Sequence, residues 1–128
     1  MIPKIIHRTV PVNTSDQVET WWADTVAMHP KWDCRTHREP LDPGAWPFTS
    51  DLWPLCETGA QKAGLIRLEA VYVHGGIYLD SDVEPVRPLD ELLEHEVFVA
   101  WEDPRCIPDA VFGAEKEHPA IMQLLQAA

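Results

Sequence analysis

Positive charge is scarce in this sequence. Its 128 residues hold ten Lys and Arg against 21 Asp and Glu, a formal net charge of −11. A surface of that sign repels phosphate backbones and anionic headgroups, which argues against nucleic acid or an anionic membrane as the partner. Cysteine is sparse as well. Cys34, Cys56 and Cys106 are scattered, odd in number and form no C-x-x-C, so buried free thiols are expected rather than a disulfide framework or a zinc site. No apolar run is long enough to span a bilayer, and the N-terminus lacks a signal-peptide pattern. The expectation is a soluble, cytoplasmic protein with no transmembrane segment. A glycine-rich phosphate loop, G-x-S-x-G and H-E-x-x-H are all missing, which disfavours P-loop, serine-hydrolase and zinc-protease chemistry. There is no internal repeat, no low-complexity tract and no sign of a second domain. The length suits a single domain over residues 1–128 with one core.

What the chain does have is alternation of strand-like and helix-like segments. Lys4 to Val10, KIIHRTV, is a β-rich apolar run stopped by Pro11. Thr14-Ser15-Asp16-Gln17 has the form of a capping box and opens a helix to about Met28, with Val18, Trp21, Trp22 and Val26 on its apolar side. Trp32 to Arg38 alternates like a second strand. Pro40 to Pro54 holds four prolines and two of the six tryptophans, and reads as an irregular loop with a helical turn near Ser50 to Cys56. The tryptophans are expected chiefly in the core, with one or two as candidate platforms for a sugar face. Ala60 to Val73 is the strongest helical pattern, closed by Gly75. Leu89 to Leu93 suggests a short helix, Val97 to Trp101 and Ala110 to Gly113 two more strands, and Pro119 the first turn of a last helix. This order predicts an α/β sandwich with a mainly parallel sheet.

The stretch Leu65 to Glu84, LIRLEAVYVHGGIYLDSDVE, concentrates the chemistry. After the Gly75-Gly76 break comes a short apolar strand ending in Asp80-Ser81-Asp82. Residues two apart in a strand share a side, so Ile77 and Leu79 should face one way, and Tyr78, Asp80 and Asp82 the other. Neighbouring carboxylates repel and call for a counter-charge, for which a hard divalent cation with oxygen ligands, Mg²⁺ or Mn²⁺, is suited. Ligands of α/β sheets sit outside the carboxyl ends of strands, where such a metal could hold a diphosphate. A lone D-x-D in an acidic chain is weak; the strand, the glycines and the helix behind it give it weight. Arg67 has two readings: a surface salt bridge with Glu69 or another carboxylate, or a charge reaching a phosphate across the crevice. His7, Arg8 and Thr9 end the first strand on the same rim and could line a nucleotide pocket, His7 being more at home at a core edge. Glu102, Asp103 and Asp109 flank further strand ends.

Two segments, IPKIIHRTV and GAQKAGLIRLEAVYVHGGIYLDSDVEPVRPL, resemble the D-x-D sugar-binding-region glycosyltransferases of glycosyltransferase family 32. That family groups the yeast initiating α-1,6-mannosyltransferase with capsular polysaccharide transferases. Arg67, Gly75-Gly76-Ile77-Tyr78-Leu79-Asp80 and Asp82 match in order and spacing, and the Trp-rich helix and the WED segment at Trp101 fit. The resemblance implies a GT-A fold, a Rossmann-like α/β/α sandwich, of which this chain is similar to the N-terminal part, C-terminally truncated. It implies a nucleotide-sugar donor, a glycan or other hydroxyl acceptor, Mn²⁺ or Mg²⁺ as cofactor, and retention of anomeric configuration. On this footing Asp82 is the direct metal ligand, and Asp80 contacts the donor's ribose or sugar, or the metal through water. Arg67 contacts the donor, and the donor-binding set is Asp80, Arg67, Thr9, His7 and Gly76. No catalytic nucleophile or base is assigned. Where the family often has Ser-Asp, this chain has Ala63-Gly64, so one donor-contacting carboxylate is missing. A non-catalytic donor-binding remnant is therefore the alternative. A Mg²⁺-dependent phosphohydrolase of the haloacid dehalogenase type is a distant third. Its motif wants Thr or Val where Glu84 stands, and wants it near the start of the chain.

Overall fold

The computed structural model describes residues 1–100 and 111–127. Its regular elements are β1 (Ile5–Val10), α1 (Asp16–Met28), β2 (Asp33–Arg38), α2 (Gly59–His74), β3 (Gly76–Leu79), β4 (Val97–Val99), β5 (Val111–Ala114) and α3 (Pro119–Ala127). Short 3₁₀ turns lie at Pro43–Ala45, Ser50–Leu55 and Asp90–Glu94. Among the described residues the expected elements are present, within a residue or two at their ends; Ala110, the expected start of one strand, lies outside them. Trp101, Glu102, Asp103, Cys106 and Asp109 lie outside the described residues.

The five strands form one sheet in the order β2-β1-β3-β5-β4. β1 pairs in parallel with β2 on one side and β3 on the other. β5 runs antiparallel to both β3 and β4. Only β5 opposes the common direction, so the sheet is mainly parallel. Ile6, Ile77 and Leu79 point to one face and pack with Ile2, Trp32 and Leu93, covered by Trp22 of α1. Tyr78, Phe112 and Ala114 point to the other and pack on Val71 of α2 and Ile121 of α3. Helices on both faces of the sheet make the α/β/α sandwich that alternation implied.

Two local expectations need correction. The cap of α1 is Ser15, whose side chain accepts from the Val18 amide, while Thr14 donates instead to Glu19. A Thr14–Gln17 capping box therefore does not form. Val26 is 39 % exposed, and Thr25 takes the buried place one residue earlier. The hydroxyl of Thr25 folds back on the Trp21 carbonyl, so a polar residue can be buried there at little cost.

α2 is buried nearly all round, on Leu65, Ile66, Arg67, Glu69, Ala70 and Val71. One side meets the sheet and α3, and the other meets the proline-rich segment, where Trp46 packs on Ile66 and Ala70. The helix ends at Gly75 (φ 71°), whose N–H bonds the Val71 carbonyl. Gly76 (φ 114°) starts β3 pressed against β1: a Cβ there would lie 2.6 Å from the Ile5 carbonyl oxygen. Both positions require glycine, one for its backbone angle at the turn and the other also for the closeness of two strands. Among the described residues, no helix is long and apolar enough to cross a membrane.

Candidate functional site

From β1 the chain crosses to β2 on one side; from β2 it returns past β1 to β3 on the other. The order of strands therefore reverses at β1, and the carboxyl ends of β1 and β3 flank the crevice where open α/β sheets take their ligands. A cavity of about 480 Å³ opens there. Its walls are Thr9, Val10 and Pro11 at the end of β1, His37, Glu39 and Leu41 at and just beyond the end of β2, Gly59, Ala60, Ala63, Ile66 and Arg67 along α2, and Asp80, Ser81 and Asp82 after β3.

α2 and β3 bring Arg67 and Asp80 to the same height. Arg67 lies eight residues before Gly75, about 12 Å along a helix, and Asp80 lies four beyond Gly76, about 13 Å along a strand. The Arg67 guanidinium reaches Asp80 Oδ1 at 3.2 Å and lies 4.6 Å over the Tyr78 ring. This replaces the Arg67–Glu69 pairing considered from sequence. Residues two apart on a helix do not face each other. Glu69 turns to the proline-rich segment, accepting from the Phe48 amide at 3.1 Å and the Thr49 hydroxyl at 2.7 Å.

The Tyr78 hydroxyl donates to Asp80 Oδ1 at 2.8 Å and lies 2.9 Å from Thr9 Oγ1. Its single proton goes to the carboxylate, so Thr9 must donate in turn, giving a chain from Thr9 through Tyr78 to Asp80. Burial, aided by the neighbouring Asp80 charge, pushes the phenol pKa upward against the opposing Arg67 charge, and the proton stays in place. Tyr78 was expected on the Asp80 side of the strand; its role as the bridge between two strand ends was not read.

β3 stops at Leu79, and Asp80 to Val83 is a turn closed by the Val83 N–H on the Asp80 carbonyl at 3.1 Å. Asp82 thus reaches the cavity through the turn and not through strand alternation. It is exposed, and among the described residues its carboxylate makes no ion pair. No cluster of three or more His, Cys, Asp or Glu suited to a metal occurs among the described residues. What the cavity offers is two carboxylates separated by one residue. That fits Mg²⁺ or Mn²⁺, which are held by one or two carboxylates with substrate phosphates and water completing the shell.

The structure gathers Asp80, Asp82, Arg67 and Thr9 of the expected set at one cavity. It does not bring His7 or Gly76 there. Gly76 lies at the opposite end of β3, fixed by its contact with Ile5. His7 is fully buried two residues below Thr9, with Nε2 3.0 Å from the Gly75 carbonyl and Nδ1 3.0 Å from His37 Nε2. Burial is the first cause lowering the His7 and His37 pKa values to about 4 each. His37 and Glu39 on the cavity wall were missed, because only the β1–β2 register, which sets Thr9 beside His37, places them there. Among the described tryptophans, Trp32 and Trp46 are buried, and Trp22 and Trp53 lie beneath Arg8 and Lys62.

A carboxylate pair, an arginine and the N-terminal turn of α2 thus line one crevice at the point where the strand order of an α/β sheet reverses. Residues 11–99 match the family described as "Glycosyltransferase sugar-binding region containing DXD motif", and the chain belongs to that family. It is 33% identical over 135 aligned residues to "Inositol phosphoceramide mannosyltransferase 3" of Schizosaccharomyces pombe, covering 98% of this chain and 36% of that protein. It is 27% identical to "Mannosyl phosphorylinositol ceramide synthase CSH1" of Saccharomyces cerevisiae, over 99% of this chain and 35% of that protein. The chain thus spans about a third of the length of these relatives. Among solved structures, "PaToxG Glycosyltransferase" superposes with a TM-score of 0.71 at 16% identity, covering 98% of this chain and 58% of that one. The GT-A-like sandwich is therefore shared well beyond sequence similarity.

Proposed function

We propose that this chain is the donor-binding part of a metal-dependent glycosyltransferase that moves a sugar from a nucleoside diphosphate to a hydroxyl acceptor with retention. The observation that supports this most is the convergence of Asp80, Asp82, Arg67 and Thr9 on one cavity at the switch point. Asp82, exposed at the turn, is the direct ligand of Mn²⁺ or Mg²⁺. Asp80 is held by Tyr78 and Arg67, so it meets the donor in one orientation. Arg67 and the first turn of α2 supply positive potential for a diphosphate. When bound, the divalent cation supplies Lewis-acid stabilisation of the leaving diphosphate. The fission-yeast relative's name makes mannose the first donor sugar to try and a lipid-linked inositol hydroxyl the first acceptor.

Calorimetric titration of Mn²⁺ with nucleoside-diphosphate sugars tests this reading. Asp82→Ala should abolish Mn²⁺-dependent donor binding while thermal unfolding stays unchanged; an unaltered titration would overturn the metal role. Asp80→Asn should weaken binding less than it slows turnover. Gly64 supports a second reading. A Cβ there would meet nothing within 4 Å, so the place of the family's carboxylate is open but its charge is missing. Donor binding with no transfer or hydrolysis would identify a non-catalytic donor-binding remnant.

A further inference from the structure

His7 and His37 form a proton chain with only one consistent assignment. The Gly75 carbonyl can only accept, so His7 Nε2, 3.0 Å away, carries a hydrogen. A neutral His7 then has Nδ1 as an acceptor, and His37 Nε2, 3.0 Å away, must be the donor. The two ring planes lie 18° apart, with their centroids at 5.3 Å. The edge contact of Trp46 at 84° holds the plane of His37. The remaining nitrogen, His37 Nδ1, is left as a bare acceptor and makes no hydrogen bond among the described residues. The low pKa values of both rings support their neutrality.

His37 lines the same cavity as Asp80 and Asp82, but on β2, two strands away. At the usual strand spacing that separation is roughly 10 Å. The cavity runs from these carboxylates past Thr9 and Val10 at the end of β1 to His37, which leaves room on that side for the nucleoside of a diphosphate held at the carboxylates. We propose that His37 is a specificity-determining residue of the donor site, its Nδ1 accepting a hydrogen bond from an N–H or O–H of the nucleoside. His7 is the positioning residue that fixes the tautomer. This inference rests on the metal–diphosphate reading of Asp80 and Asp82.

The test compares Mn²⁺-pyrophosphate with Mn²⁺-uridine and Mn²⁺-guanosine diphosphates, titrated into the full chain and into His37→Phe and His37→Gln. His37→Phe should lose at least tenfold in affinity for the better nucleotide and leave pyrophosphate affinity unchanged, and His37→Gln, which keeps an acceptor, should recover part of the loss. ¹⁵N spectra of the unaltered protein should show His7 and His37 both as neutral Nε2–H tautomers. An Nδ1–H tautomer at His37, or unchanged nucleotide affinity in His37→Phe, would overturn the proposal while leaving the metal reading standing. Failure of the unaltered protein to bind Mn²⁺-pyrophosphate would overturn the metal reading and this one with it.

Discussion

Tyr78→Phe removes one oxygen and leaves the rest of the site in place. The ring stays packed on Phe112 and beneath the Arg67 guanidinium, so the change isolates the hydroxyl. Two hydrogen bonds go with it, the 2.8 Å bond to the Asp80 carboxylate and the 2.9 Å bond from Thr9. A hydrogen bond to a charged group contributes about 1.5–3 kcal/mol and a neutral one about 1. Asp80 is 30% exposed, so water replaces part of the first term. The net loss in unfolding free energy should be about 1–2 kcal/mol, read as a lower urea midpoint with an unchanged slope. The more telling effect is on binding. Without the hydroxyl, Asp80 loses one of the contacts that orient it, and its carboxylate is freer to rotate about χ2. Mn²⁺-dependent affinity for a nucleoside diphosphate should fall about tenfold, equivalent to about 1.4 kcal/mol. Calorimetry at fixed Mn²⁺ measures it. A variant that loses stability but binds as before would show that Asp80 needs no orientation by the strand-end chain, and would refute the reasoning.

Other outcomes follow from the same contacts. His7 is neutral in the fold, with its pKa lowered from 6.5 to about 4, so its contribution is fully present above pH 6.5 and is lost as pH falls toward 4. The shift corresponds to roughly 3 kcal/mol, so the urea midpoint should fall between pH 6.5 and 4.5; a flat profile there would contradict it. Glu69→Ala should cost about 3 kcal/mol by stranding the Phe48 amide and the Thr49 hydroxyl, with hydrogen exchange at Phe48 speeding as the signature. Gly64→Ala, in a helix with open space around it, should add up to about 1 kcal/mol of stability, seen as a higher melting temperature.

What could be read ahead of the structure was whatever depends on local spacing. The β1 run, the α2 periodicity, the Gly75 stop and the carboxylates after an apolar strand are each written within a few residues, and they carry the sandwich and four of the residues that line the cavity. The remainder depends on which element lies next to which. Thr9 stands beside His37 because β1 and β2 pair in that register, and no spacing within either strand states it. The partners of Arg67 and Glu69 follow from the face each presents, one toward β3 and one toward the proline-rich segment. His7 and Gly76, which the resemblance adds to the donor-binding set, do not line this cavity. The strand's length lifts Asp80 away from Gly76, and the pleat and a neighbouring histidine enclose His7.

The helix that descends to Gly75 and the strand that climbs from Gly76 work as the two arms of a ruler. One residue inserted within α2 after Arg67 would swing that arginine by about 100° away from the sheet. One residue inserted between Tyr78 and Asp80 would send the two to opposite faces. Side chains in this segment can be exchanged, but its count cannot, so any relative that uses the same arginine and aspartate must keep the interval between them. Changes in length should accumulate instead in the stretch between β2 and α2, which reaches the cavity only at its edges.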